Sequence, residues 1–98
     1  MTERVRLAGT GPGSAHTAYR DAEGRLVIEW YDFGADAPYE SANLITFDRY
    51  AERALAEAIG SPDDLLPAIA ARFTSWFEIR AFAVGQDIPF TATVDFTP

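Results

Sequence analysis

The chain contains no cysteine and no lysine, and it has a single histidine and a single methionine. Without cysteine there are no disulfides, no thiolate nucleophile and no cysteine-based zinc site. Without lysine there is no Schiff-base amine and no P-loop ammonium. All eight cations are therefore arginines. One histidine, His16, leaves any zinc site dependent on carboxylates, and the sequence implies neither a metal nor a cofactor. No apolar run approaches the roughly 18 residues that a membrane span needs. The opening "MTERVRLAG" lacks the apolar stretch of a secretory signal. A cytoplasmic location is the expectation.

What is present in excess is negative charge. Fifteen carboxylates face eight arginines, for a net charge of −7 over 98 residues. Direct nucleic-acid binding and anionic membrane surfaces are disfavoured, because both need a basic footprint. A basic protein surface suits this chain. One such surface belongs to nucleic-acid-binding proteins, whose ligand an acidic domain can imitate. The competing reading is that the charge serves solubility alone. At this length one globular domain over residues 1–98 is expected.

The chain reads as follows. Arg4 to Gly9 alternates basic and apolar residues and predicts a short strand. "GTGPGS" is a loop. Its third glycine comes too early for a dinucleotide fingerprint, and Pro12 lacks the N–H that would hold a phosphate. Ala15 to Arg20 and Arg25 to Phe33 predict the arms of a hairpin, with Asp21-Ala22-Glu23-Gly24 as its turn. "GADAPYE" is a loop, and Ser41 to Phe47 a further strand. Asp48 is placed to cap a helix over "RYAERALAEAI", which Gly60 ends. Its inner face is Ala51, Leu55, Ala58 and Ile59.

A second helix starts near Leu65, because Pro67 is tolerated only in a first turn, with Asp63 or Asp64 as its cap. Leu66, Ile69, Phe73, Trp76, Phe77, Ala81 and Val84 continue at helical spacing, with room for a break at Thr74-Ser75. The rival reading makes "WFEIRAFAV" a strand. "IPFTATVDF" predicts a last strand with Phe90, Ala92, Val94 and Phe96 facing in. The order β-β-β-β-α-α-β implies an α+β fold. It has two layers, a four- to five-stranded, mostly antiparallel sheet with two helices on one face.

The richest stretch is "IEWYDFGADAPYE", Ile28 to Glu40. Strand alternation turns Ile28, Trp30 and Asp32 to one face and Glu29, Tyr31 and Phe33 to the other. Glu29, Tyr31, Asp32, Asp36, Tyr39 and Glu40 form a candidate aromatic-acidic partner surface. Aromatics give rigid contact area, and carboxylates complement a basic partner. Glu29 and Asp32 are also candidates for an acid–base pair, and the plain alternative is a core strand with a solvated turn. The spacing of Asp32, Asp36 and Glu40 does not match a calcium loop.

A second candidate site is a pocket between sheet and helices, formed by His16, Trp30, Trp76, Phe77 and Arg80. Outside such a pocket, His16 reads as an exposed or half-buried strand residue, and Arg80 as the partner of a carboxylate such as Asp95. No nucleophile-elbow pattern joins His16 to Ser14 or Ser75. Arg49, Glu52, Arg53 and Glu57 read as a solvated helix face.

The functional expectation is a small acidic interaction module that binds and modulates or neutralises another macromolecule. Inhibitors, antitoxins, immunity proteins and mimics of nucleic acid make up that class. A small-molecule-binding domain or small enzyme is the alternative, and self-association through a sheet face or edge is a third reading.

Overall fold

The hairpin turn forms where Asp and Gly place it. The Asp21 carboxylate accepts the backbone N–H groups of Glu23 and Arg25, both at 2.9 Å. Gly24 takes a left-handed φ of 80°, which glycine adopts without a Cβ clash. In this computed structural model the described residues are 4–11, 13–32, 40–60 and 65–97. They form strands β1 (Arg4–Arg6), β2 (Ser14–Arg20), β3 (Leu26–Asp32) and β4 (Glu40–Phe47). Helices α1 (Arg49–Ile59), α2 (Leu65–Arg72) and α3 (Trp76–Gly85) follow, and then β5 (Thr91–Thr97).

The five strands make one antiparallel sheet in sequence order, β1-β2-β3-β4-β5. The fold is α+β, as the element order implies. The described residues form three helices rather than two. The chain leaves β4, runs through all three helices and returns to pair β5 against β4.

The register sorts the side chains. Ala18, Ile28 and Ile45 are mutual cross-strand neighbours and are fully buried, so this face carries the helices. Leu26 and Phe47 extend it. Leu55, Leu66, Ile69, Phe73 and Ile79 close the core from above. Burying each such side chain contributes roughly 1.5–3 kcal/mol. No helix among the described residues covers the opposite face. Val27 is nonetheless buried there, between its cross-strand neighbours Tyr19 and Thr46.

The caps fall largely where the sequence puts them. The Asp48 carboxylate accepts the Ala51 N–H at 2.8 Å. Gly60 ends α1 with φ 74°. The inner face of α1 is Ala51, Leu55 and Ala56, while Ala58 is exposed and Ile59 half-buried. The proposed caps Asp63 and Asp64 lie outside the described residues.

The long helical pattern after Leu65 is divided. Arg72 ends α2. Ser75 caps α3 with its hydroxyl accepting the Glu78 N–H at 3.2 Å. Glu78 reaches back to accept from both the N–H and the hydroxyl of Thr74, and these bonds hold its pKa below the ordinary carboxylate value. The strand alternative for "WFEIRAFAV" is thereby excluded. The break also resets the phase. Trp76, Ile79 and Ala83 are the buried positions of α3. Phe77, Ala81 and Val84, expected on the inner face, turn outward.

β5 departs in a similar way. Ala92 and Val94 point to the helix-bearing face, paired through β4 with Ile45 and Asn43, but both are exposed. β5 is an edge strand.

Candidate functional site

One row of side chains crosses four strands: His16, Trp30, Asn43 and Val94 are successive cross-strand neighbours. Period-two alternation puts all four on the helix-bearing face. The first turn of α3 adds Trp76 and Phe77 to this row. The Trp30 ring centroid is 4.5 Å from that of Phe77 and 5.7 Å from that of Trp76. Trp76 and Phe77 meet edge-on at 5.1 Å. His16 lies 6.0 Å from Phe77 and parallel to Trp30 at 6.4 Å. Such tilted and edge-on pairs match the quadrupoles of the rings.

Of the five residues expected in the second candidate site, His16, Trp30, Trp76 and Phe77 come together in ring contact. Arg80 does not join them. It is exposed and stands over the Phe90 ring at 5.8 Å, with no ion pair to Asp95 among the described residues. Asn43 and Val94 continue the same row and were not singled out from the sequence, because the pairing of β4 and β5 that aligns them is a tertiary fact. Their signal was strand alternation within "SANLITF" and "TATVDF".

His16 is buried at 5% exposure, rather than exposed or half-buried as its strand position suggests. Its Nδ1 accepts the backbone N–H of Trp76 at 3.0 Å. That bond places the ring proton on Nε2. Burial also lowers its pKa, since the imidazolium would be desolvated. With Nδ1 engaged and Ser75 Oγ committed to capping α3, these two side chains hold structure rather than form a nucleophile–base pair.

The cluster is buried at one end and open at the other. Trp76 is 9% exposed, and its indole N–H is buried with no acceptor among the described residues. Phe77 is 49% exposed and Val94 50%. Trp30 is half-buried between them. Asp32 follows Trp30 on the same face, in the next row with Ser14 and Ser41.

The aromatic-acidic surface of residues 29–40 is divided by the fold. Glu29 and Tyr31 lie on the helix-free face, where Glu29 accepts from Arg4 at 3.1 Å. Asp32 lies on the other face. Glu29 and Asp32 thus cannot share a substrate proton, which overturns the acid–base pair. Glu40 opens β4 opposite Thr97. Asp36 and Tyr39 lie outside the described residues.

Arg49, Arg53 and Glu57 of α1 lie on an exposed face, as expected, and Glu52 departs from it. Glu52 pairs across to Arg20 of β2, not to Arg49 or Arg53.

No family model, curated protein or solved structure matches this chain. Among the described residues, no helix is long and apolar enough to cross a membrane.

Proposed function

We propose that this chain is a small acidic binding module that engages a basic macromolecular partner, an inhibitor-like or immunity-like role. Its anchor is the Trp30–Phe77 cluster. The observation behind this reading is the exposure of Phe77 at 49% while it packs 4.5 Å from a half-buried tryptophan. A phenylalanine in that setting keeps apolar surface in water that a partner would cover. Aromatic anchors set in a packed surround dominate binding energy at protein interfaces. Asp32 beside the cluster and the net charge of −7 supply the long-range attraction that speeds encounter with a basic surface.

The test is affinity capture from the native host's lysate at low and high salt, with wild type, Phe77→Ser and Asp32→Arg as baits. The reading requires one stoichiometric macromolecule that is lost with Phe77→Ser and weakened by Asp32→Arg and by salt. Equal recovery by all three baits, or no specific recovery, contradicts it.

A second reading takes the same cluster as a small-molecule site. It is favoured by the Trp76 indole N–H, a buried donor with no acceptor among the described residues, a lack that costs about 1–3 kcal/mol. A ligand with an acceptor group beside an apolar body would answer it. Saturable quenching of tryptophan fluorescence by a small ligand, unaffected by charge reversal at Asp36 and Glu40, distinguishes this reading from the first.

A further inference from the structure

Arg20 at the end of β2, and Arg49 and Arg53 of α1, converge on one cavity of about 380 Å³, at the end of β2 away from His16. Three of the eight arginines of a strongly acidic chain thus line a single cleft. Its apolar wall is Ala56 and Leu65.

Among the described residues, the charges of α1 there are not all paired. Arg20 is answered by Glu52 and by the Gly24 carbonyl at 3.1 Å. Arg49 and Arg53 have no carboxylate of the described residues within ion-pair distance. Among the described lining residues, Glu57 is the other carboxylate on this wall. With Glu52 paired to Arg20, the described lining residues carry two further positive charges against one negative.

Both unanswered arginines are also poorly placed for the helix alone. Arg49 is the first residue of α1, where the helix dipole disfavours a cation. Arg49 and Arg53 are four residues apart, so their like charges face each other along one side of the helix. A bound anion would remove both penalties. Guanidinium groups suit this task, because their planar forks grip a carboxylate or phosphate through paired N–H donors.

We infer that the cleft between β2 and α1 is a binding site for a small organic anion, in which Arg49 and Arg53 hold an oxyanion and Ala56 and Leu65 contact its apolar body. The shared chemistry is a carboxylate or phosphate on a compact apolar group. This site is separate from the aromatic cluster, and its charge preference is opposite to that of the chain as a whole.

The test is a titration of the isotopically labelled protein, followed by amide shifts in the NMR spectrum. The probes are phenyl phosphate, phenylacetate and the neutral benzyl alcohol. The expected result is saturable shifts at Arg20, Arg49, Arg53, Ala56 and Leu65 with at least one of the two anions. Benzyl alcohol should give none that saturate. The double variant Arg49→Gln/Arg53→Gln should weaken the anion by about tenfold or more, since both forks are removed. Both positions are exposed, so the variant is expected to fold, and its unchanged spectrum elsewhere verifies that. Which anion binds more tightly tells a carboxylate site from a phosphate site. Shifts that stay linear, that persist equally in the double variant, or that benzyl alcohol reproduces overturn the inference.

Discussion

The Nδ1 atom of His16 accepts the backbone N–H of Trp76 at 3.0 Å, joining β2 to the start of α3 across 60 residues of sequence. The donor is one of the N–H groups that a helix start leaves without an intrahelical partner. The imidazole thereby fixes where α3 begins, and with it the direction of Trp76 and Phe77.

This bond requires a neutral ring, which makes stability depend on pH. The folded pKa of His16 is lowered from 6.5 by burial, while the unfolded ring titrates near 6.5. Below 6.5 the unfolded chain takes up a proton that the folded chain resists. Stability is therefore intact above 6.5 and falls as the pH drops toward the folded pKa, by at most about 1.4 kcal/mol per pH unit. Urea denaturation across this window should show the slope. His16→Asn, which keeps an acceptor near Nδ1 but does not titrate, should flatten it.

Gly9 is a second lock on the same junction. Its N–H donates to the Thr74 carbonyl at 2.6 Å, and a Cβ at Gly9 would stand 2.4 Å from that oxygen. Gly9→Ala must push the β1–β2 loop off the α2–α3 junction. A loss of about 1–3 kcal/mol is expected, the usual range for overpacking. Gly11→Ala, with nothing within 4 Å and no left-handed φ, should be nearly neutral in the same urea titration.

Asp48 is the N-cap of α1. Asp48→Ala leaves the Ala51 N–H without its acceptor. The thermal midpoint should fall with a stability loss of about 1 kcal/mol. Asp48→Ser should recover most of it.

The phase of α3 has its own test. Ile79 is fully buried and Phe77 is half exposed. Ile79→Ala should cost about 2–5 kcal/mol. Phe77→Ser should cost well under that despite removing the larger side chain. Equal losses would place both residues inside and remove the anchor from the surface.

Much of the fold was legible because it rests on local signals. Asp21 to Gly24 announced the hairpin, and Asp48 and Gly60 bounded α1. The alternation of Ile28, Trp30 and Asp32 against Glu29 and Tyr31 assigned the faces of β3. The division of residues 65–85 was only partly legible. Helical spacing runs smoothly through Phe73, Trp76 and Phe77, so periodicity alone keeps one helix. The Ser75-x-x-Glu78 capping pattern carries the restart, and the contacts from Gly9 and His16 that fix it there come from distant strands. The candidate site was legible as a set of residue types. The burial of His16, the departure of Arg80 toward Phe90 and the partnership of Glu52 with Arg20 are cross-element contacts. Spacing along the chain does not encode them.

The most direct measurement is the affinity of the purified, captured partner for wild type, Phe77→Ser and Tyr31→Ser. Phe77 lies in the aromatic cluster, and Tyr31 lies on the helix-free face. The account predicts that Phe77→Ser weakens binding by about thirtyfold or more, the 2 kcal/mol expected of an interface anchor, while Tyr31→Ser changes it by less than about threefold. Loss of binding in Tyr31→Ser with an unaltered Phe77→Ser would contradict it, and would put the partner on the helix-free face of the sheet.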